Sequence, residues 1–394
     1  MDRLTERTLV LILCGGKGER LYPLTKDRAK PSVPFLGAYR MIDFSLSNCL
    51  NSGLRRIALL TQYKSLSLER HILLGWNIFH AESRGFIMSL PAQGRVGDRW
   101  YEGTADAVFQ NIYTIQQENP DAVLILSGDH VYKADYGRFI EFARDKSADA
   151  VLMAKAVPRM EARRFGVLHT DGDGRITEFV EKPKNPPGIP GDPTRALASM
   201  GIYFFRTVPL IRALIQDAKS SKSGHDFGKD ILPRLIGEAN VFAYPYEGYW
   251  EDIGTIDAYW TSHMAFLSET PPFPIQDPAW PVRTYQGQHP PALIDGSSIR
   301  SSLVGPGCAI RGASLSRSIL SPGVVIGEGA SVEDSIVFEG VRIGRDAHLS
   351  KCIIDKNSIL PDGARIIPGD GPEIREFRVY GDGIRIVPRG WRPD

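Results

Sequence analysis

The 394-residue sequence predicts an α/β domain on a mostly parallel sheet, followed by a left-handed parallel β-helix. Two observations carry this. Apolar runs of strand length alternate with helical patterns as far as about residue 265, and later an apolar position recurs about every sixth residue. A proline-crowded stretch separates the two textures.

The opening strand is Thr8 to Cys14, a continuous β-branch-rich run that stops at Gly15-Gly16. Arg56–Thr61, Ala122–Ser127 and Ala150–Ala154 have the same character, and segments such as Thr104–Glu118 read as helices between them. Strands apolar on both faces belong to a parallel sheet covered on both sides. In such sheets ligands bind beyond the carboxyl ends of the strands, so the residues just after these runs matter most. Residues 1–268 are expected to form this domain. Residues 269–292, with Pro271-Pro272, Pro274, Pro278, Pro281 and Pro290-Pro291, read as an ordered linker.

Beyond the linker the sequence repeats. Leu320, Val337 and Ile354 are 17 apart, as are Ile326, Ile343 and Leu360, and Val332, Leu349 and Ile366. One inward residue per side of a triangular coil, followed by turn residues, gives this spacing, and each coil buries its inward residues only by stacking on the next. The β-helix is assigned to residues 293–370. The tail, 371–394, is expected to close with a hairpin of Phe377–Tyr380 and Ile384–Val387 about Gly381-Asp382-Gly383.

Composition excludes several classes. Forty-seven Lys and Arg nearly cancel 46 Asp and Glu, which argues against broad capture of nucleic acid and leaves any anion to a local cluster. Cys14, Cys49, Cys308 and Cys352 form no CxxC pair, so neither a zinc knuckle nor a disulfide framework is expected. No run approaches 18 apolar residues, and the N-terminus does not read as a secretory signal. A cytoplasmic protein with no membrane partner is the expectation.

Four strand ends hold chemistry. Gly15-Gly16-Lys17-Gly18-Glu19-Arg20 follows the first strand, and its glycines let backbone N–H groups approach a phosphate while Lys17, Arg20 and the nearby Lys30 add charge. It matches neither a Walker loop nor GxGxxG, and an ordinary strand-to-helix turn explains the glycines equally well. Asp129, in Ser127-Gly128-Asp129-His130, is placed to hold a cation against phosphates or, more blandly, to cap the next helix. Glu178 to Pro183 puts Glu181 and Lys182 at a strand end, where an ion-paired sheet edge is the alternative. Asp252, in Trp250-Glu251-Asp252-Ile253-Gly254-Thr255, is a further acid or a helix cap. His225-Asp226-Phe227-Gly228 has no HRD loop before it, no GxSxG elbow or HExxH pair exists, and a lone His348 is weak ground for acyl transfer.

This set of acids and cations without a nucleophile suits in-line attack at phosphorus, where catalysis is positioning and charge neutralisation. The chain resembles the glucose-1-phosphate adenylyltransferase family over essentially its whole length. The likeness runs through Tyr39–Phe44, Asn51-Ser52-Gly53, Thr61-Gln62-Tyr63, Gly103–Ala107, the Ser-Gly-Asp-His element, Phe165-Gly166-Val167, Val180–Pro183, Ser199–Tyr203, His225–Asp230 and Trp250–Thr255. It implies a Rossmann-like nucleotidyltransferase domain that makes ADP-glucose and pyrophosphate. ATP would lie over Gly15, Gly16, Lys17 and Gly18, with Arg20 and Lys30 on its phosphates and Tyr101 near the adenine. Asp129 and Asp252 would hold Mg²⁺. Lys182 would grip the phosphate of glucose 1-phosphate, and Gly166, Glu181 and Ser199 would contact its sugar. Asp129, Arg20, Lys30 and Lys182 would carry catalysis. The resemblance also implies a homotetramer and a small-molecule allosteric effector, whose identity stays open because Asp27 stands where relatives activated by fructose bisphosphate carry lysine. A nucleotidyltransferase using another base, and a non-catalytic regulatory subunit, are the alternatives. The presence of all the acids and cations speaks against the second.

Overall fold

A computed structural model describes residues 3–92, 100–368 and 377–393. It divides into two compact units. The first holds residues 1–16, 45–65 and 76–250, and the second holds 17–44, 66–75 and 251–394. Residues 17–44, 66–75 and 251–268 cluster with the C-terminal part of the chain.

The first unit is built on a nine-stranded sheet. Thr8–Cys14 lies at its centre, and Leu9, Val10, Leu11 and Ile12 have no exposed surface because the strand is covered on both faces. It pairs in parallel with Arg56–Thr61 on one side and Ala122–Ser127 on the other, and Phe86–Pro91 adds in parallel beyond the former. The long strand Arg195–Arg206 runs antiparallel to Ala122–Ser127 and to Ala150–Pro158. The register of the parallel strands brings Cys14 beside Thr61 and Leu13 beside Ser127. Gly15, Gln62 and Gly128-Asp129 therefore leave the sheet at one edge.

The second unit contains the β-helix. Short strands from Leu293–Asp295 onward stack in parallel into three sheets, one per side of the coil. Ile319 pairs with Ile336 and Leu320 with Val337, the spacing of 17 read from the sequence. All nine inward positions, from Leu320 to Ile366, are buried at 3% exposure or less. Val379–Tyr380 and Ile384–Val387 form the expected hairpin. The hairpin also does something not foreseen: Ile384–Val387 pairs in parallel with Cys352–Ile354 and takes the place of a further coil on that side. The boundary expected at residues 370 and 371 lies outside the described residues.

Contacts from residues 17–44 and 251–268 explain why they belong to this unit. Arg28 Nη2 donates to both carboxylate oxygens of Asp355, at 2.7 and 3.0 Å, with both side chains buried. Trp260 Nε1 donates to the Asp334 carbonyl at 2.9 Å. Phe35 packs edge-on against Phe44 and Phe266, and the linker's Phe273 joins the same ring cluster. Burying this apolar surface holds the linker in an ordered path.

Candidate functional site

The predicted site residues divide between the units. Gly15, Gly16, Tyr101, Asp129, Gly166, Glu181, Lys182 and Ser199 lie in the first, and Lys17, Gly18, Arg20, Lys30 and Asp252 in the second. Each group has its own geometry.

In the first unit the sheet edge presents Gly15, with the Gln62 Cβ and the Tyr101 ring within 4 Å of where a side chain would begin. Tyr101 is fixed at both ends. Its N–H donates to Gln62 Oε1 at 2.6 Å and its hydroxyl accepts from Asn111 Nδ2 at 3.0 Å. Burial raises its phenol pKa, so it stands as a neutral ring beside the glycine turn. Gln62 was not singled out from sequence as a site residue. The signal that finds it is its place directly after a parallel strand.

Asp129 follows the strand Ala122–Ser127, and the Ser127 hydroxyl donates to its Oδ1. It does not cap a helix: the helix Tyr136–Asp145 is capped by Asp135, which accepts from the backbone of Gly137 and Arg138. Cys14, at the end of the first strand, is buried, and burial together with the charge of Asp129 pushes its thiol pKa well up. A thiol so held is a poor nucleophile.

Glu181 ends the strand Ile176–Glu181, and Lys182 turns away with a φ of +49° and donates its N–H to the Phe165 carbonyl at 3.0 Å. Lys182 Nζ pairs with Glu181 Oε1 at 2.7 Å while staying largely exposed. The other oxygen, Oε2, lies between two glycines. A Cβ built on Gly166 would sit 3.0 Å from it, and one on Gly228 only 2.6 Å. Ser199 opens an irregularity in which the five residues Ser199 to Tyr203 span the interval from Ala154 to Leu152 on the neighbouring strand. Gly201, at φ +67°, makes this possible, and its N–H contacts Ser199 Oγ at 3.3 Å.

In the second unit Gly18 adopts φ +64°, and a Cβ there would meet Thr25 and Lys30 at 3.0 and 3.2 Å. The loop leads into a single 3-10 turn, Glu19–Leu21, and not into a long helix. The strand-to-helix alternative therefore does not apply. Lys17 and Arg20 are exposed. Lys30 is buried, and its Nζ lies 3.2 Å from Asp252 Oδ1. Asp252 is no cap either, because Thr255 caps the helix Ile256–Ala265 through Ala258 N–H. Close approach at Gly254, where a Cβ would fall 3.1 Å from Arg20 Nη2, brings the arginine to the same turn.

Among the described residues no three His, Cys, Asp or Glu side chains gather to hold a metal. Asp129 and Asp252 are hard oxygen donors, partly exposed, of the kind a divalent cation takes when substrate phosphates complete its coordination. Each, in its own unit, has the donor chemistry that such an ion takes. No helix among the described residues is long and apolar enough to cross a membrane.

Comparison with known proteins places this chemistry. A nucleotidyl transferase family model matches residues 9–269, and a GlmU-like C-terminal hexapeptide model matches residues 293–387. Glucose-1-phosphate adenylyltransferase 2 of Alkalilimnicola ehrlichii is 46% identical over 402 residues, covering 98% of this chain and 94% of the relative. The glucose-1-phosphate adenylyltransferases of Methylococcus capsulatus and Dechloromonas aromatica are 44% and 45% identical, again over 98% of this chain and 94% and 92% of theirs. With a nucleotidyltransferase domain, a hexapeptide-type β-helix and near-full-length likeness to these enzymes, the chain belongs to the glucose-1-phosphate adenylyltransferase family.

Proposed function

We propose that the chain adenylylates glucose 1-phosphate. A phosphate oxygen of the sugar phosphate attacks the α-phosphorus of ATP and pyrophosphate departs, leaving ADP-glucose for glycogen- or starch-type glucan synthesis. The near-full-length likeness to relatives of that name carries the reading. The strand-end chemistry agrees with it, since acids and cations are present and the one thiol at the sheet edge is held protonated.

In this reading Gly15, Gly16, Lys17 and Gly18 line the triphosphate, and Arg20 and Lys30 neutralise its charge. Tyr101 lies along the adenine. Lys182 holds the sugar phosphate while Gly166, Glu181 and Ser199 meet the sugar hydroxyls, a carboxylate being a strong acceptor for them. Asp129 and Asp252 would hold Mg²⁺, which when bound stabilises negative charge on the reacting phosphates. The test is pyrophosphate release from purified protein across a panel of nucleotides and sugar phosphates. Release that needs ATP, Mg²⁺ and glucose 1-phosphate, and falls by orders of magnitude in Asp129→Asn with folding intact, is the expected result. No release with any hexose phosphate overturns it.

Regulation by a small anion has a candidate seat within the second unit. A cavity of about 700 Å³ is lined by Arg28, Arg40, Arg70, Lys356 and Arg389, set against Asp27 and Glu339. Burial lowers the pKa of Lys356 and of Arg40, which a bound anion would offset. Assays with and without phosphorylated and carboxylate metabolites test it, Arg40→Ala abolishing any activation. We also infer a cytoplasmic homotetramer, supported by the exposed Leu293 and Ile294 on the first coil of the β-helix. Light scattering on the eluted protein checks the mass.

A further inference from the structure

Beside Asp129 stands a histidine that the reading above does not use. His130 is buried, and its ring meets Trp250 edge to face, the centroids 5.6 Å apart at 79°. Trp250 in turn rests on Phe165 at 4.9 Å. Packing on this scale holds both rings in single rotamers.

The hydrogen bond between them fixes more than orientation. Trp250 Nε1 lies 3.2 Å from His130 Nδ1. An indole N–H can only donate, so Nδ1 must offer a lone pair. A neutral imidazole with an unprotonated Nδ1 carries its proton on Nε2. That atom lies 3.6 Å from Asp129 Oδ1.

We propose that His130 is a positioning residue for Asp129, held by Trp250 in the form whose Nε2–H faces the carboxylate. The separation is longer than a hydrogen bond, and contacts of this kind tighten when substrates bind. The Ser127 hydroxyl donates to the same Oδ1. Once Nε2–H closes on it as well, two donors on one oxygen would set the plane of the carboxylate, and thereby the direction in which its second oxygen points. Partners of this kind, one step behind a metal-bearing acid, set metal affinity and turnover without touching substrate. The proposal rests on the reading of Asp129 as the acid that holds the cation.

The experiment uses full-length protein. Selective nitrogen-15 labelling of histidine reads the tautomer in the absence of metal, the His130 signal being the one lost in His130→Gln. A protonated Nε2 with a bare Nδ1 is expected, and Trp250→Phe should mix the two tautomers. Kinetics then separate the two ends of the ring. The Gln amide nitrogen reaches the place of Nε2, whereas the Asn amide reaches only that of Nδ1. His130→Gln should keep kcat within about threefold, while His130→Asn loses about 10- to 100-fold and needs more Mg²⁺ for half-saturation, with KM for glucose 1-phosphate little changed. A protonated Nδ1 in the unmodified protein, equal losses in the two variants, or an unmoved Mg²⁺ requirement overturns the proposal. An active Asp129→Asn variant would instead overturn the reading of Asp129 itself, and the tautomer measurement would be unaffected.

Discussion

Lys30 Nζ stands 3.2 Å from Asp252 Oδ1, a cation and an acid drawn together from positions 222 residues apart. Neither closes a helix, and the lysine is buried while the acid stays partly open to solvent. In the proposed reading, a buried ammonium set beside a carboxylate would meet phosphate charge without reorganising. Lys30→Met keeps the length of the side chain and removes its charge. Turnover should fall about 100-fold, with the thermal midpoint little changed, as read by steady-state kinetics and circular dichroism.

Gly228 is the second residue of the turn Phe227–Ile231, which runs directly into the helix Leu232–Glu238. Its φ is not in the left-handed region, so alanine there would strain nothing in the backbone. The added methyl would instead press on Glu181 Oε2 at 2.6 Å. Gly228→Ala should raise KM for glucose 1-phosphate about tenfold, an amount equal to roughly 1.4 kcal/mol, and leave KM for ATP alone. In a Glu181→Ala background the same change should add little, which a double-mutant cycle measures.

Arg28 and Asp355 are 4% and 3% exposed at their side chains. Removing one partner leaves the other as an uncompensated buried charge. Arg28→Met should therefore cost about 3–5 kcal/mol in denaturant unfolding. Replacing both by apolar residues of similar volume should recover most of the loss, because the desolvation of both ions is relieved together.

His263 is fully buried, accepting from Leu36 N–H at 3.1 Å and lying 2.7 Å from the Tyr259 carbonyl through Nδ1. Burial depresses its pKa from 6.5 to about 3, with the Tyr259 contact opposing. The unfolded chain takes up a proton near pH 6.5 that the folded chain refuses until about pH 3. Stability is thus full above the upper value and lost as pH falls through that window, by up to about 1.4 kcal/mol per unit. His263→Gln should flatten this part of the profile in unfolding measured at pH 7, 6 and 5.

What could be read from the sequence follows from how local the cause is. Leu320, Val337 and Ile354 were legible because every coil must turn an apolar residue inward at the same point, which imprints a period on the chain. Asp129, Lys182 and Asp252 were legible as candidates because each closes a strand or follows one within two residues. The capping alternatives for Asp129 and Asp252 could not be dismissed there, since only coordinates reveal that Asp135 and Thr255 already do the capping, whereas the ion pair expected of Lys182 is present with Glu181. The packing of residues 17–44 was hidden for a different reason. Residues 17–44 join the second unit through contacts such as Arg28 with Asp355, 327 residues distant, and no neighbouring residue announces such a partner. The same holds for Trp250 with His130 and for Gly228 with Glu181.

A column of identical coils has no inherent length, since each finished layer presents a fresh template to the next. The returning segment Ile384–Val387 occupies that template on one side of the column, and its partner Val379–Tyr380 runs the opposite way and so offers no matching layer. The returning hairpin thereby acts as a terminator on that side, where it occupies the edge that would otherwise recruit another strand.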